Sequence, residues 1–282
     1  MGRVATIARG VRAVPVVAAA LALALVTRPS SSAPKQARDY ILEPPPRGVW
    51  ATVDAYTLGA QGALELRIPI EDESTGMVHL RASSLASLGY GEVAGHVDAR
   101  LSMLTVGGSA GYRDVWRTIE GAPGKELSRD DRPAVERERG RAAAWPFAEA
   151  RARLTVPLES LFLLAVGTAR WEDGPASAFD WFHANVHDGG LLVRLDATLF
   201  ARDRRFGAFG PSVRFMDLPR DGGRRQELAA GFTLLTRPGL LRREDLVFAS
   251  VLASPGDREM GYSALGLPIW ALVAYRAQLR MW

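Results

Sequence analysis

The chain contains no cysteine among its 282 residues. That excludes a disulfide scaffold, a thiolate metal centre and a catalytic thiol. Lysine is nearly missing too: Lys35 and Lys125 stand against a background of arginine. Histidine is limited to four residues. Long apolar runs are also missing. Val14 to Val26 is the best of them, and its 13 residues fall short of the roughly 20 that a spanning helix needs. An excess of either charge sign is absent once the start is set aside. The formal charge of +4 resides in residues 1–33, where Arg3, Arg9, Arg12 and Arg28 meet no acid. What remains balances 31 bases against 31 acids, so nothing in the charge favours a nucleic-acid partner.

What is present begins with an ordered leader. Three arginines precede the apolar run, and the small, polar stretch Pro29 to Ala33 follows it. That is the three-part pattern of a secretory signal peptide over residues 1–33, with cleavage expected after Ala33. The chain is therefore expected to be exported. Residues 34–47 read as a short periplasmic segment and 48–282 as one domain.

In that domain apolar and polar residues alternate with period two. Leu64, Leu66, Ile68 and Ile70 alternate with Glu65 and Arg67. Val93, Val97, Ala99, Leu101 and Met103 alternate with His96, Asp98, Arg100 and Ser102. Residues 134–152 look helical in composition, yet the alternation from Ala144 to Val156 is that of a strand with unlike faces. The pattern predicts twelve strands: 48–59, 61–71, 76–90, 92–105, 106–120, 143–156, 160–171, 190–201, 206–217, 226–236, 245–254 and 264–282. A further run, 180–188, is read as part of a loop, because a thirteenth strand would put the termini on opposite sides. The connections 121–142, 172–189, 218–225 and 255–263 then fall on one side. The tight turns Pro157–Ser160, Arg202–Arg205 and Arg237–Gly239 fall on the other. Gly107, Gly108 and Gly111 are expected to supply a turn near 105–111.

Several of these runs reach the roughly 9–11 residues of a membrane-crossing strand, where strands of soluble proteins average about 5–6. In hydrocarbon no water satisfies backbone N–H and C=O groups, so only helices and closed sheets can span it. On its leader, its alternation, its long-loop and short-turn asymmetry and its terminal aromatic Trp282, the chain resembles bacterial outer-membrane β-barrel proteins. The resemblance implies an all-β, closed antiparallel up-and-down transmembrane barrel of about 12 strands in the outer membrane. It also implies contact with outer-membrane lipids and with the barrel-assembly machinery through the C-terminal strand. Trp50, Trp116, Trp145, Trp171, Trp181 and Trp282 lie near strand ends, where interfacial aromatics are expected. Trp145 and Trp282, however, take the polar parity of their strands.

The candidate functional residues are the charges on the inward parity: Asp98, Arg100, Glu149, Arg151, Arg153, Arg194, Asp196, Arg276 and Arg280. They could line a narrow selective pore. A barrel of about twelve strands is only modestly wider than one that side chains fill, so pairing across a filled lumen is the stronger expectation. His183 and His187, near Asn185 and Asp188, are a weak metal candidate. No cofactor is expected.

A lipid- or lipopolysaccharide-modifying enzyme is the alternative. No histidine has a serine two positions on, however: Asp98 follows His96, Asn185 follows His183, and Ser83 has no partner visible in the sequence. A soluble secreted β-sandwich is a further alternative, and should have shorter strands with a polar outward face. The readings separate on fractionation. The protein should stay with membranes through alkaline washing and come away only with detergent, whereas release by washing alone would indicate the sandwich.

Overall fold

In the computed structural model the described residues are 47–70, 76–87, 89–116, 142–174, 178–180, 185–203, 207–220, 223–236, 245–254 and 269–282. Twelve strands close into one antiparallel barrel. They are β1 (Gly48–Tyr56), β2 (Gly59–Pro69), β3 (Gly76–Ser87), β4 (Tyr90–Leu101), β5 (Leu104–Val115), β6 (Ala143–Leu158) and β7 (Leu161–Glu172), then β10 (Gly190–Asp203), β11 (Gly207–Arg220), β12 (Gly223–Thr236), β13 (Leu246–Ala253) and β14 (Ile269–Arg280). Two short strands, β8 (Ala178–Asp180) and β9 (Asn185–His187), form a separate hairpin between β7 and β10. The run at 180–188 therefore adds no thirteenth barrel strand.

Each barrel strand pairs with its neighbour in the chain, and the ring shuts where β1 meets β14. Trp50 lies opposite Arg280 and Asp54 opposite Arg276 at that seam. Val49 N–H extends it by donating to the Trp282 carbonyl at 3.2 Å. Closure is what lets every strand satisfy its backbone on both sides.

The outward faces are apolar. Val53, Leu64, Val93, Val97, Val213 and Val251 are all exposed, and Leu228 and Phe232 are 66% and 67% exposed. In water, apolar exposure on this scale would be an aggregation surface. Against acyl chains it is the expected solvent contact, and the fold is a transmembrane barrel. The inward faces hold Trp50, Trp145 and Trp270, each nearly fully buried, together with buried Asp54, Glu65, Arg67, Arg113 and Glu172.

Three local expectations need correction. The β4–β5 turn sits at Ser102–Met103, where Ser102 takes φ 54°. Gly107, Gly108 and Gly111 are interior to β5 instead. Residues 218–220 and 223–225 are strand, not loop, because β11 extends to Arg220 and β12 starts at Gly223, its partner in the ladder. Trp50 and Trp145 are not interfacial anchors: they point into the barrel, where Arg67 packs over the Trp50 ring and Glu172 accepts from Trp145. Trp116 and Trp171 are exposed at strand ends, and Trp181 lies outside the described residues.

The expected sidedness is visible in the connections. β5–β6, β7–β10 and β13–β14 are joined by the longest connections, all at one end of the barrel, but the tight turn expected at Arg237–Gly239 needs correction, because the β12–β13 connection at the other end spans 237–245. β6–β7 turns at Glu159–Ser160 at the other end, with Glu159 at φ 50°.

A closed barrel in detergent should migrate faster on a gel before boiling than after. Leu228→Arg, which puts a charge in mid-strand on the lipid face, should cost about 2–4 kcal/mol of unfolding stability. A loss under 0.5 kcal/mol in a denaturant titration would contradict the lipid assignment of that face.

Candidate functional site

Period two places charges from neighbouring strands side by side on the inner wall. The register aligns Asp98 on β4, Gly107 on β5 and Arg151 on β6 in one row. Arg151 crosses over the glycine to bind the carboxylate in bidentate fashion, Nε donating to Oδ1 at 2.7 Å and Nη2 to Oδ2. A Cβ at position 107 would overlap the Asp98 carboxylate and the Val97 carbonyl oxygen. The glycine is therefore a passage for an ion pair rather than a turn.

A second network joins β4 to β7. Arg113 Nε donates to Glu92 Oε1 at 2.6 Å, and Arg170 Nη2 donates to the same oxygen at 2.7 Å. Glu172, 1% exposed, accepts from Arg170 Nε at 2.6 Å and from Trp145 Nε1 at 2.9 Å. Burying such a carboxylate is tolerable only with this many donors. Arg113 also stacks over Tyr90 at 4.2 Å and Arg170 over Phe147 at 3.7 Å, so aromatic faces add to the carboxylates in holding these cations.

Elsewhere on the wall, Arg276 donates to Asp54 through Nε at 2.6 Å and Nη2 at 2.8 Å. Arg67 pairs with Glu65 at 2.7 Å on the same strand. Asp196 takes Arg214 at 2.6 Å and Arg194 at 2.9 Å. Thr198, Ser212, Thr233 and Ser250 continue the wall as a chain of hydroxyl bonds of 2.7, 2.7 and 2.9 Å across β10 to β13.

The nine charges read from the sequence therefore fall into separate places. Asp98 and Arg151 pair directly, and Arg194 and Asp196 form another pair. Glu149 lies 3.9 Å from Arg170, at the edge of the β4–β7 network. Arg276 binds Asp54, and Arg280, exposed near the terminus, donates to the Trp282 carbonyl at 3.3 Å. Arg100 and Arg153 lie on the Asp98–Arg151 face, in register through Thr105. His183 lies outside the described residues, and only the backbone of His187 is described, in β9.

Glu92, Arg113, Arg170, Glu172, Asp54 and Arg214 were missed by sequence reasoning. Their strands mix parities: Arg113 stands beside Asp114, and Glu172 sits where a loop was expected. Glu172 lies just past an expected strand end, and the other five lie inside expected strands, where following the parity through would have found them.

The ion pairs differ in kind from the expectation of pairing across a filled lumen. Each bond named above joins residues of one strand or of strands at most three apart. The reason is width. With strands about 4.8 Å apart and tilted about 40°, twelve strands make a cylinder about 24 Å across between Cα atoms, while an extended arginine reaches about 7 Å. Neighbours are within reach and opposite walls are not.

The structure also gives Ser83 a partner. Its Oγ lies 2.7 Å from His96 Nε2, on the adjacent strand. The wiring is the reverse of a nucleophile and its base. Arg81 Nη2 and Arg151 Nη1 stand 3.2 and 3.4 Å from His96 Nδ1, both closer than the 3.5 Å from Arg81 Nη2 to Nε2, and a guanidinium can only donate. Nδ1 therefore accepts, the ring proton sits on Nε2, and His96 donates to Ser83. A general base needs Nε2 to accept from the serine. Asp98, the carboxylate nearest in sequence, is turned to Arg151.

No known protein family matches the chain, and no curated protein matches its sequence. Among solved structures it is similar to LpxR from Salmonella typhimurium, at 7% identity over 82% of this chain and 99% of that one, with a TM-score of 0.38. It is also similar to the translocator domain of autotransporter NalP from Neisseria meningitidis, at 12% identity over 84% of this chain and 89% of that one, again with a TM-score of 0.38. Neither likeness bears on activity.

Gly107→Val should drive Asp98 away from Arg151 and cost about 1–3 kcal/mol of stability through overpacking. Gly62→Ala and Gly95→Ala, where an added Cβ meets nothing within 4 Å, should be silent. Equal unfolding midpoints for all three variants would contradict the close approach at Gly107.

Proposed function

We propose that this protein is an outer-membrane barrel that works as a narrow, passive, charge-lined channel. The single observation that carries the reading is that its ion pairs run along the wall instead of across the lumen. Wall-bound pairs hold the charges in place and leave the axis to water. A cavity of about 420 Å³ fits this, lined by residues from all twelve barrel strands, Tyr56, Glu92, Arg170, Asp196 and Trp270 among them. Arg153 also fits it, being solvent-exposed although its parity turns it inward.

Arginine–carboxylate pairs line β1 to β7 and recur as Asp196 with Arg194 and Arg214 on β10 and β11, beside the hydroxyl chain across β10 to β13. A solute passing through would meet fixed dipoles and charges at close range, which is how a narrow pore discriminates. Outer-membrane location is supported by the barrel class, since closed barrels with long loops on one side are the form bacterial outer-membrane proteins take, and by the leader pattern read in residues 1–33.

Lipid hydrolysis is the weaker reading, because His96 donates to Ser83 and so leaves it without a base. The channel is tested in planar bilayers. Purified, heat-modifiable protein should give discrete unitary currents, smaller than those of wide sixteen- to eighteen-stranded porins. Protein that inserts and yields no current would end the channel reading and leave a structural or surface-interaction barrel.

A further inference from the structure

The lumen cavity of about 420 Å³ is of small-molecule size, since such sites run to about 300–1,000 Å³. Its wall is not uniform. On β4 to β7 the ion pairs join Glu92, Glu149 and Glu172 to Arg113 and Arg170, three carboxylates to two guanidiniums. On β10 and β11, Asp196 takes both Arg194 and Arg214, one carboxylate to two guanidiniums. The neighbouring Asp98 and Arg151 cancel. These groups sum to no net charge, divided between a negative side and a positive side.

Glu149 is the open end of the negative side. Among the described residues its polar contact is Arg170 Nη1 at 3.9 Å, too long for a hydrogen bond. Arg170 donates instead to Glu172 through Nε and to Glu92 through Nη2, and Arg151, two residues along β6, is held by Asp98. The Glu149 side chain lines the cavity and stays 18% exposed. It is an acceptor that its neighbouring arginines leave to a donor from the lumen.

The surface facing it is apolar. β14 lies six strands from β6 in either direction round the ring, directly across the lumen. There Phe248, Leu252, Trp270 and Leu272 on β13 and β14 line the same cavity. Arg214 lies over the Trp270 ring at 4.0 Å, so the positive side adjoins the apolar one. With walls about 24 Å apart between Cα atoms, a glutamate and a leucine reaching in about 4 Å each leave about 9 Å after one hydrogen bond and one van der Waals contact.

We propose that this cavity is a binding station for a small zwitterion with an apolar body, of the apolar amino-acid or dipeptide class. Glu149 takes the ammonium, Arg194 and Arg214 take the carboxylate, and the β13–β14 surface takes the apolar side chain. A guanidinium carries five N–H donors, so bonding to Asp196 does not exhaust it. Both ends of the ligand then make charge-assisted bonds, which are the strong ones. A zwitterion also adds no net charge to a wall that has none, whereas an amine or an acid alone would. The inference rests on the channel reading for access from water and gives it a substrate class.

The probe is L-phenylalanine, titrated calorimetrically into the full-length mature protein in detergent, with heat-modifiable mobility checked for every variant. Saturable binding is expected. Phenethylamine, phenylpropionate and glycine lack the carboxylate, the ammonium and the apolar body in turn, and each should bind at least about tenfold more weakly. Glu149→Gln and Arg194→Gln should each weaken phenylalanine about tenfold, the loss expected for a charged hydrogen bond. Arg224→Gln, on β12 and paired with Asp217, should leave it unchanged.

No saturable binding overturns the station. So does phenethylamine or phenylpropionate binding as tightly as phenylalanine, or binding that either lumen substitution leaves unaltered. Planar bilayers decide the channel separately, and phenylalanine should reduce the unitary current there. Current without phenylalanine binding keeps the channel and loses the station. Binding without current keeps the station, as a site in a closed lumen, and ends the channel.

Discussion

The rest of the structure depends on one constraint: a sheet in hydrocarbon cannot leave a backbone hydrogen bond unmade. The pairing of β1 with β14, register Trp50 to Arg280 through Tyr56 to Ala274, turns twelve strands into a ring without edges. Once the ring is shut, every strand has one face in lipid and one in the lumen. The exposed valines and leucines and the buried arginine–carboxylate rows are two consequences of the same closure.

Ring size then decides what the inner charges do. An eight-stranded barrel brings opposite walls within reach, and its side chains fill it. Twelve strands separate the walls too far, so arginines bind carboxylates beside them, and four of these paired arginines also lie over aromatic rings: Arg113 over Tyr90, Arg170 over Phe147, Arg67 over Trp50 and Arg214 over Trp270. This is why inward tryptophans accompany inward arginines, and why two of the tryptophans expected at the membrane interface sit inside.

The architecture was legible in the sequence because period two is a local property. Leu64 through Ile70 and Val93 through Leu101 announce a lipid face without reference to any other strand. Residues 105–111 were not legible as strand, since glycines serve turns and close approaches alike. Only the row Asp98–Gly107–Arg151 shows that Gly107 clears the way for an ion pair. Ser83 and His96 were equally opaque: thirteen positions separate them along the chain, and cross-strand register brings them to 2.7 Å.

The sequence by itself determined which side of most strands is apolar and how many strands there are, because each follows from neighbours in the chain. The tertiary structure alone decided which arginine meets which carboxylate, that the pairs follow the wall, and that Arg81 and Arg151 converge on one imidazole. Those outcomes depend on the register between strands and on the diameter of the closed ring, and neither quantity is written in any single strand.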